Sequence, residues 1–271
     1  MPNIANSLSN FFNNHPQGLF TLFFTELWER FSYYGMRAIL VLYLVSQTNS
    51  ANPGLGWTNA EAIRLYGWYT ALVYISCIPG GIIADKYLSN QKAVFFGGFL
   101  LCLGHLSLAI QSIYFFYFGL FFIILGVGLL KPSISSLVGS LYEKNDIKRD
   151  QGFTIFYIGI NIGALLATTV VAYVGETYGF TYGFGLAGLG MLLGLFIFWA
   201  GRKNYAAAPG LDIHEEGKKK VLGPLNMVQV ITLGSLFLIP LCYVLIMQNQ
   251  WLDYILLALF IGISIIILFK I

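Results

Sequence analysis

Charge is scarce in this sequence. Of 271 residues, 15 are Lys or Arg and 12 are Asp or Glu, 10% in all, where a soluble domain carries about 25%. A surface cannot be covered with so few ionised groups, so an ordinary water-soluble protein is excluded. Cysteine is equally sparse: Cys77, Cys102 and Cys242 all lie inside apolar runs, which leaves no disulfide framework. The net charge of +3 is small and scattered, too weak for a nucleic-acid footprint. Catalytic signatures are missing as well: there is no G-x-S-x-G, no H-E-x-x-H and no intramembrane pair of Asp residues, so no enzyme is expected. The first 17 residues contain no Lys or Arg, and without a basic start no cleaved signal peptide is expected.

What is abundant is apolar. Hydrophobic residues make up 57% of the chain and the mean hydropathy is +0.73. A helix needs roughly 20 apolar residues to cross the hydrocarbon core of a bilayer. Segments of that kind are expected at 18–46, 61–84, 92–111, 113–140, 151–174, 181–200, 225–247 and 251–270. Their continuous apolar runs exclude the ~10-residue alternation of barrel strands. The reading is an all-α membrane protein. It divides into a cytoplasmic N-terminal segment 1–17, a six-span bundle 18–200, a linker 201–224 rich in Gly, Pro and mixed charge, and a two-helix transmembrane hairpin 225–271.

Basic residues set the orientation. Lys86, Lys92, Lys144, Lys148, Arg149, Arg202, Lys203, Lys218, Lys219, Lys220 and Lys270 fall in alternate connections and at the end, and the other connections hold none. The positive-inside rule then puts both termini on the cytoplasmic side of a cell (inner) membrane. Four cations remain: Arg30, Arg37, Arg64 and Lys131. Arg64 opens the second span beside Glu61. The other three, with Glu26 and Glu29, lie within spans, where each charge costs at least ~2.5–3.5 kcal/mol by insertion scales. At 100° per residue, Glu26, Glu29, Arg30, Tyr33, Tyr34 and Arg37 share about 140° of the first helix. If all are ionised, three cations face two anions. Such a set invites an anion, and a proton on one Glu would free a cation to hold it. Lys131 stands in Gly126-Val127-Gly128-Leu129-Leu130-Lys131-Pro132, where the glycines admit a close neighbour and Pro132 bends the helix. His105, following Gly104, reads as a satisfied structural histidine, and Trp68 and Tyr69 read as packing residues.

Four motifs together resemble the proton-dependent oligopeptide transporters of the major facilitator superfamily. They are Glu26-Leu27-Trp28-Glu29-Arg30-Phe31-Ser32-Tyr33-Tyr34-Gly35, Gly81-Ile82-Ile83-Ala84-Asp85-Lys86, the Gly-Lys-Pro stretch 126–132, and Phe156-Tyr157-Ile158-Gly159-Ile160-Asn161-Ile162-Gly163. The resemblance implies the N-terminal half of a symporter that imports di- and tripeptides by alternating access. Its architecture would be a six-helix N-terminal major-facilitator bundle plus the accessory hairpin, with the C-terminal bundle absent. Glu26, Glu29, Arg30 and Lys131 would couple protons, Glu29 or Glu26 taking the proton. Arg30, Lys131 and Tyr34 would hold the peptide carboxylate, while Tyr33, Tyr74 and Asn161 would line the pocket. Arg37 would form a gating salt bridge to the other half, and Asp85 and Lys86 would serve a cytoplasmic gate. The loop departs from the superfamily pattern by carrying Ser89-Asn90-Gln91-Lys92 where Gly and basic residues are common. The partners implied are short peptides, protons as the coupling ion, the bilayer, and a second bundle on the same or another chain; no other cofactor and no nucleic acid are expected. An amino-terminal piece of a longer transporter is the favoured reading, with a half-size, non-transporting membrane interaction protein as the alternative.

Overall fold

The computed structural model describes residues 14–143, 145–205 and 215–231, together with the single positions 254, 257, 258 and 261. The expected hairpin 225–271 lies almost wholly outside the described residues. Six long helices form a bundle: α1 (Gln17–Val45), α2 (Asn59–Leu88), α3 (Asn90–Leu108), α4 (Ile113–Ser140), α5 (Lys148–Thr177) and α6 (Phe180–Ala200). Each overlies one of the six leading apolar segments to within a few residues. Among the described residues, α2 to α6 are long and apolar enough to cross a membrane. With 29 residues, α1 is as long, and it differs in carrying Glu26, Glu29, Arg30 and Arg37.

Local signals explain the ends. Thr58 caps α2: its hydroxyl accepts from the Glu61 N–H at 3.3 Å, and the Glu61 carboxylate accepts from the Thr58 N–H at 2.9 Å. This reciprocal box satisfies two otherwise orphaned donors, and it occupies the carboxylate that the sequence set beside Arg64. Asn52, in the α1–α2 loop, donates to the Gly175 carbonyl at 2.8 Å and accepts from the Phe180 N–H at 3.1 Å, tying that loop to the turn between α5 and α6. At the other end of α2, a wide π turn over Ala84–Leu88 leads to Ser89, whose φ of +83° lies in the region that favours glycine. This is the position where the sequence departs from the family pattern. The Ser89 hydroxyl is also buried without a hydrogen-bond partner among the described residues.

Buried apolar side chains of α1, among them Leu22, Met36, Ile39 and Leu40, meet Phe156 of α5 and Phe184 and Met191 of α6 in one core. That core puts α1 between α5 and α6, while α4 packs between α2 and α3. The α2–α4 seam is a backbone contact. A side chain at Gly80 would strike the Gly128 carbonyl, and one at Gly128 would come within 2.7 Å of the Ser76 hydroxyl. Ser76 meanwhile donates across the seam to the Ile124 carbonyl at 2.9 Å. Pro132 lacks the N–H that would bond the Gly128 carbonyl, and the absent Cβ of Gly80 lets that freed carbonyl press on α2.

Both described parts of the linker, 201–205 and 215–224, contain regular structure. It opens with a 3-10 turn, Gly201–Tyr205, in which Tyr205 stacks on Phe198 at 4.9 Å and donates to the Phe198 carbonyl at 2.6 Å. Strand β1 (Lys220–Leu222) pairs antiparallel with β2 (Leu225–Asn226) about Gly223 at φ +60°. This hairpin is a minor addition to a chain that is otherwise helical among the described residues. Gly223 supplies the positive φ that its tight turn requires, and helix resumes at 227, two residues after the expected start of a span.

Near the start of α1, His15 and Tyr142 share a hydrogen bond of 2.9 Å that joins the entry of α1 to the α4–α5 loop. Burial, then nearby Lys148, holds the imidazole below its ordinary value of 6.5, with Asp146 opposing, and burial pushes the Tyr142 phenol up to about 12. A lowered imidazole value means the unfolded chain takes up this proton first, so stability is present above pH 6.5 and is lost as pH falls through the folded value. Thermal unfolding of His15→Gln should therefore show a weaker fall between pH 7 and 5 than the parent; parallel curves would refute the assignment. At the seam, Gly80→Val should cost about 1–3 kcal/mol by overpacking. Gly67→Ala, with nothing within 4 Å of its added carbon, should leave the melting temperature unchanged or slightly raised.

Candidate functional site

The charged stripe of α1 divides into two parts. Glu26, Glu29 and Arg30 are buried, at 2%, 0% and 2% exposure. The Arg30 Nε lies 2.8 Å from Glu26 Oε1 and 2.5 Å from Glu29 Oε2. One N–H thus faces two carboxylates and cannot align with both. Glu26 Oε2, both Glu29 oxygens and the Arg30 Nη2 lack a well-directed hydrogen bond among the described residues. Neighbouring helices seal the triad. A side chain at Gly163 of α5 would strike the Leu27 carbonyl and come within 3.0 Å of the Arg30 Cβ, so glycine there lets α5 close against the turn of α1 that bears Arg30.

Arg37 and Lys131 are half-buried and held by aromatic groups. The Arg37 guanidinium sits 5.5, 6.0 and 5.0 Å from the ring centres of Tyr33, Tyr34 and Tyr66. It donates to the Tyr66 hydroxyl from Nε at 2.9 Å and also from Nη2. Tyr33 and Tyr34 lie within 5.6 and 5.9 Å of Arg30 as well, so the two phenols stand between the arginines. On α4, the Lys131 ammonium lies 4.5 Å from the Tyr74 ring centre and within coulombic range of Glu29. The α2–α4 seam makes this possible by holding Gly128 against Ser76, which brings Tyr74 and Lys131 side by side.

The sequence-expected residues therefore fall into separate groups. Arg30, expected to hold a carboxylate ligand, is enclosed and engaged by its own carboxylates. Tyr33, expected to line the pocket, is 2% exposed. Tyr34 is half-buried, and Tyr74 and Asn161 are exposed. The Asn161 amide donates within its own helix to the Tyr157 carbonyl at 2.9 Å, leaving its oxygen turned to other use. Arg37 has no carboxylate within ion-pair distance among the described residues. Asp85 and Lys86 are exposed on the π turn at the end of α2, away from this cluster. His105 is fully buried with neither ring nitrogen partnered among the described residues, which corrects the expectation of a satisfied histidine. Trp68 and Tyr69 pack as expected, yet the Tyr69 hydroxyl is also buried and unpartnered. Tyr66 was missed by sequence reasoning. Its signal was available: it precedes Tyr74 by eight residues, which puts the two on adjoining faces of one helix.

The arrangement yields an uneven charge map. With both carboxyls ionised the enclosed triad carries two anions and one cation, and it becomes neutral when one carboxyl binds a proton. Two further cations, Arg37 and Lys131, stand outside it beside aromatic rings, with no carboxylate at ion-pair distance among the described residues. Proton uptake in the triad would release the pull of Glu29 on Lys131 and leave an accessible cation for a carboxylate. Removing the central cation should be costly. Arg30→Met should destabilise the protein by about 3–5 kcal/mol, because two buried acids lose their partner. The triple variant Arg30→Met/Glu26→Gln/Glu29→Gln should recover most of that loss in thermal unfolding; equal losses in both would show that the triad is not a coupled unit.

Comparison with known proteins converges on one family. The model of the POT family matches residues 91–267. A di-/tripeptide transporter of Lactococcus lactis subsp. cremoris is 44% identical over 244 residues, covering 88% of this chain and 49% of that protein. The uncharacterized transporter YclF of Bacillus subtilis (strain 168) is 49% identical over 210 residues, covering 77% and 42%. Among solved structures, a mutant of peptide transporter POT in complex with alafosfalin is 43% identical at a TM-score of 0.74, covering 94% of this chain and 51% of that one. The chain spans about half the length of the relatives it matches. With the family match extending over more than half of its residues, the chain belongs to the POT family.

Proposed function

We propose that this chain is the N-terminal half of a proton-coupled symporter that imports di- and tripeptides by alternating access. One observation carries the reading: a buried triad of Glu26, Glu29 and Arg30 stands beside an accessible cation, Lys131. The relative in Lactococcus lactis is named a di-/tripeptide transporter, and short peptides are zwitterions whose carboxylate needs such a cation. Glu29 is the better-placed proton carrier, since it is wholly buried and within coulombic range of Lys131. With Glu29 ionised, Lys131 is drawn to it. Once Glu29 is protonated, Lys131 becomes free to hold the peptide carboxylate, with Tyr34 and Tyr74 beside it. Asn161 would offer its amide oxygen to a peptide N–H. Arg37, set by Tyr66, would answer a carboxylate of the second bundle and close the outer side. Asp85 and Lys86 would take part in closing the opposite end.

The second bundle would come from the remainder of a longer protein or from another chain. The substrate would bind between the two halves, near the middle of the membrane. Basic residues crowd the ends of α2, α4 and α6 and the start of α5, which supports a cytoplasmic location for those ends.

The decisive experiment is uptake into proteoliposomes by the protein together with its second half. Glu29→Gln should abolish accumulation of a labelled dipeptide against its gradient while leaving peptide exchange intact. Unchanged uphill uptake by this variant would remove Glu29 from the coupling step. Lys131→Ala should raise the KM for dipeptides at least about tenfold, the loss of one charge-assisted contact of about 1.5–3 kcal/mol.

A further inference from the structure

A second candidate site lies on the outside of the bundle, at the end of α1 opposite Val45. There α1 meets the end of α6 and the turn that follows it, and an outward-facing cleft of about 450 Å³ lies along the junction. Its walls are apolar, formed by Phe20, Phe24, Phe196 and Ile197, with Gln17 and Asn204 at one end. Phe24 and Phe196 are 47% and 60% exposed, so the cleft opens to the surroundings of the bundle. Beyond the polar end stand two exposed cations, Arg202 and Lys203. A ladder of contacts links Arg202 to the cleft: its guanidinium lies 5.0 Å from the Trp199 ring centre, and that ring lies 6.2 Å from Phe196. No carboxylate lines the cleft, and the first turn of α1 holds no acidic residue.

We propose that this cleft holds an anionic phospholipid, one acyl chain against the phenylalanines and the phosphate against Arg202 and Lys203. Apolar walls that face outward suit a hydrocarbon chain and not a soluble anion. Two exposed cations that form no ion pair among the described residues suit a headgroup with net negative charge, and they repel the ammonium of a choline headgroup. Trp199 sits between the two regions, as amphipathic rings do at the level of the headgroups. Charge also separates this occupant from the chain's own segment 225–271, whose one acidic residue, Asp253, is balanced by one cation, Lys270, so that it brings no net negative charge to Arg202 and Lys203.

Thermal unfolding of the full chain in detergent, titrated with dioleoylphosphatidylglycerol or dioleoylphosphatidylcholine, tests the site. Phosphatidylglycerol should stabilise at a midpoint about tenfold lower than phosphatidylcholine. Arg202→Ala/Lys203→Ala should erase that preference while its melting temperature without lipid stays near the parent's. Lys148→Ala/Arg149→Ala, basic residues elsewhere at the same end of the bundle, should keep it. Ala200→Trp fills the cleft with both cations intact and should weaken phosphatidylglycerol binding. Equal midpoints for the two lipids would overturn the proposal, as would a preference that survives in the Arg202/Lys203 variant. Loss of preference in the Lys148/Arg149 control would reduce the effect to a general basic surface. No effect of Ala200→Trp would mean that another segment already covers the cleft.

Discussion

An ionised group surrounded by hydrocarbon must be enclosed by protein, and in this chain that requirement falls on a single helix. Arg30, held between Glu26 and Glu29, is the centre around which α1 is buried. The apolar face of α1 serves the same end, because Leu22, Met36 and Ile39 anchor it to α5 and α6. Glycine at 163 brings the α5 backbone onto Arg30 itself. Without that enclosure the charges would face lipid, at a cost of several kcal/mol for the set. With it they face each other in a site of low dielectric, where the presence of one proton changes every neighbouring interaction.

The division of charge gives the site its directionality. Carboxylates are confined to the sealed part, while the half-buried cations Arg37 and Lys131 stand among Tyr33, Tyr34, Tyr66 and Tyr74. Aromatic rings stabilise a cation without neutralising it, so both remain able to take a carboxylate. A ring-held guanidinium has also lost much of its rotamer freedom before any partner arrives, which lowers the entropy cost of binding.

Much of this was legible in the sequence, because the strongest signals were local. Apolar runs of about 20 residues located six helices, and the 100° spacing of α1 put the charged stripe on one face. What spacing along one helix cannot tell is which members of the stripe another helix will cover. Arg30 and Arg37 lie 20° apart on the wheel, yet α5 seals the first and leaves the second open, since glycine occurs at 163. Tyr66 escaped notice for a similar reason: only the crossing of α1 and α2 brings its hydroxyl to Arg37. The β1–β2 hairpin was hidden by composition, for a Gly-Pro pair flanked by charge reads equally well as an open connection. His105 shows the opposite failure, a buried imidazole whose lack of partners no sequence pattern records.

Pro79 and Pro132 interrupt α2 and α4 on either side of the same seam, where a side chain at Gly81 would lie 3.5 Å from the Pro132 ring and one at Gly80 would strike the Gly128 carbonyl. Both helices therefore lose a rung of backbone hydrogen bonding at one height. Two rods weakened at a common level flex together more readily than either would against a stiff neighbour. Any such flexure swings the Asp85–Lys86 end of α2 and tilts the segment of α4 that bears Lys131. Motion at the rim and the reach of the ammonium toward a bound solute would then be two ends of one lever.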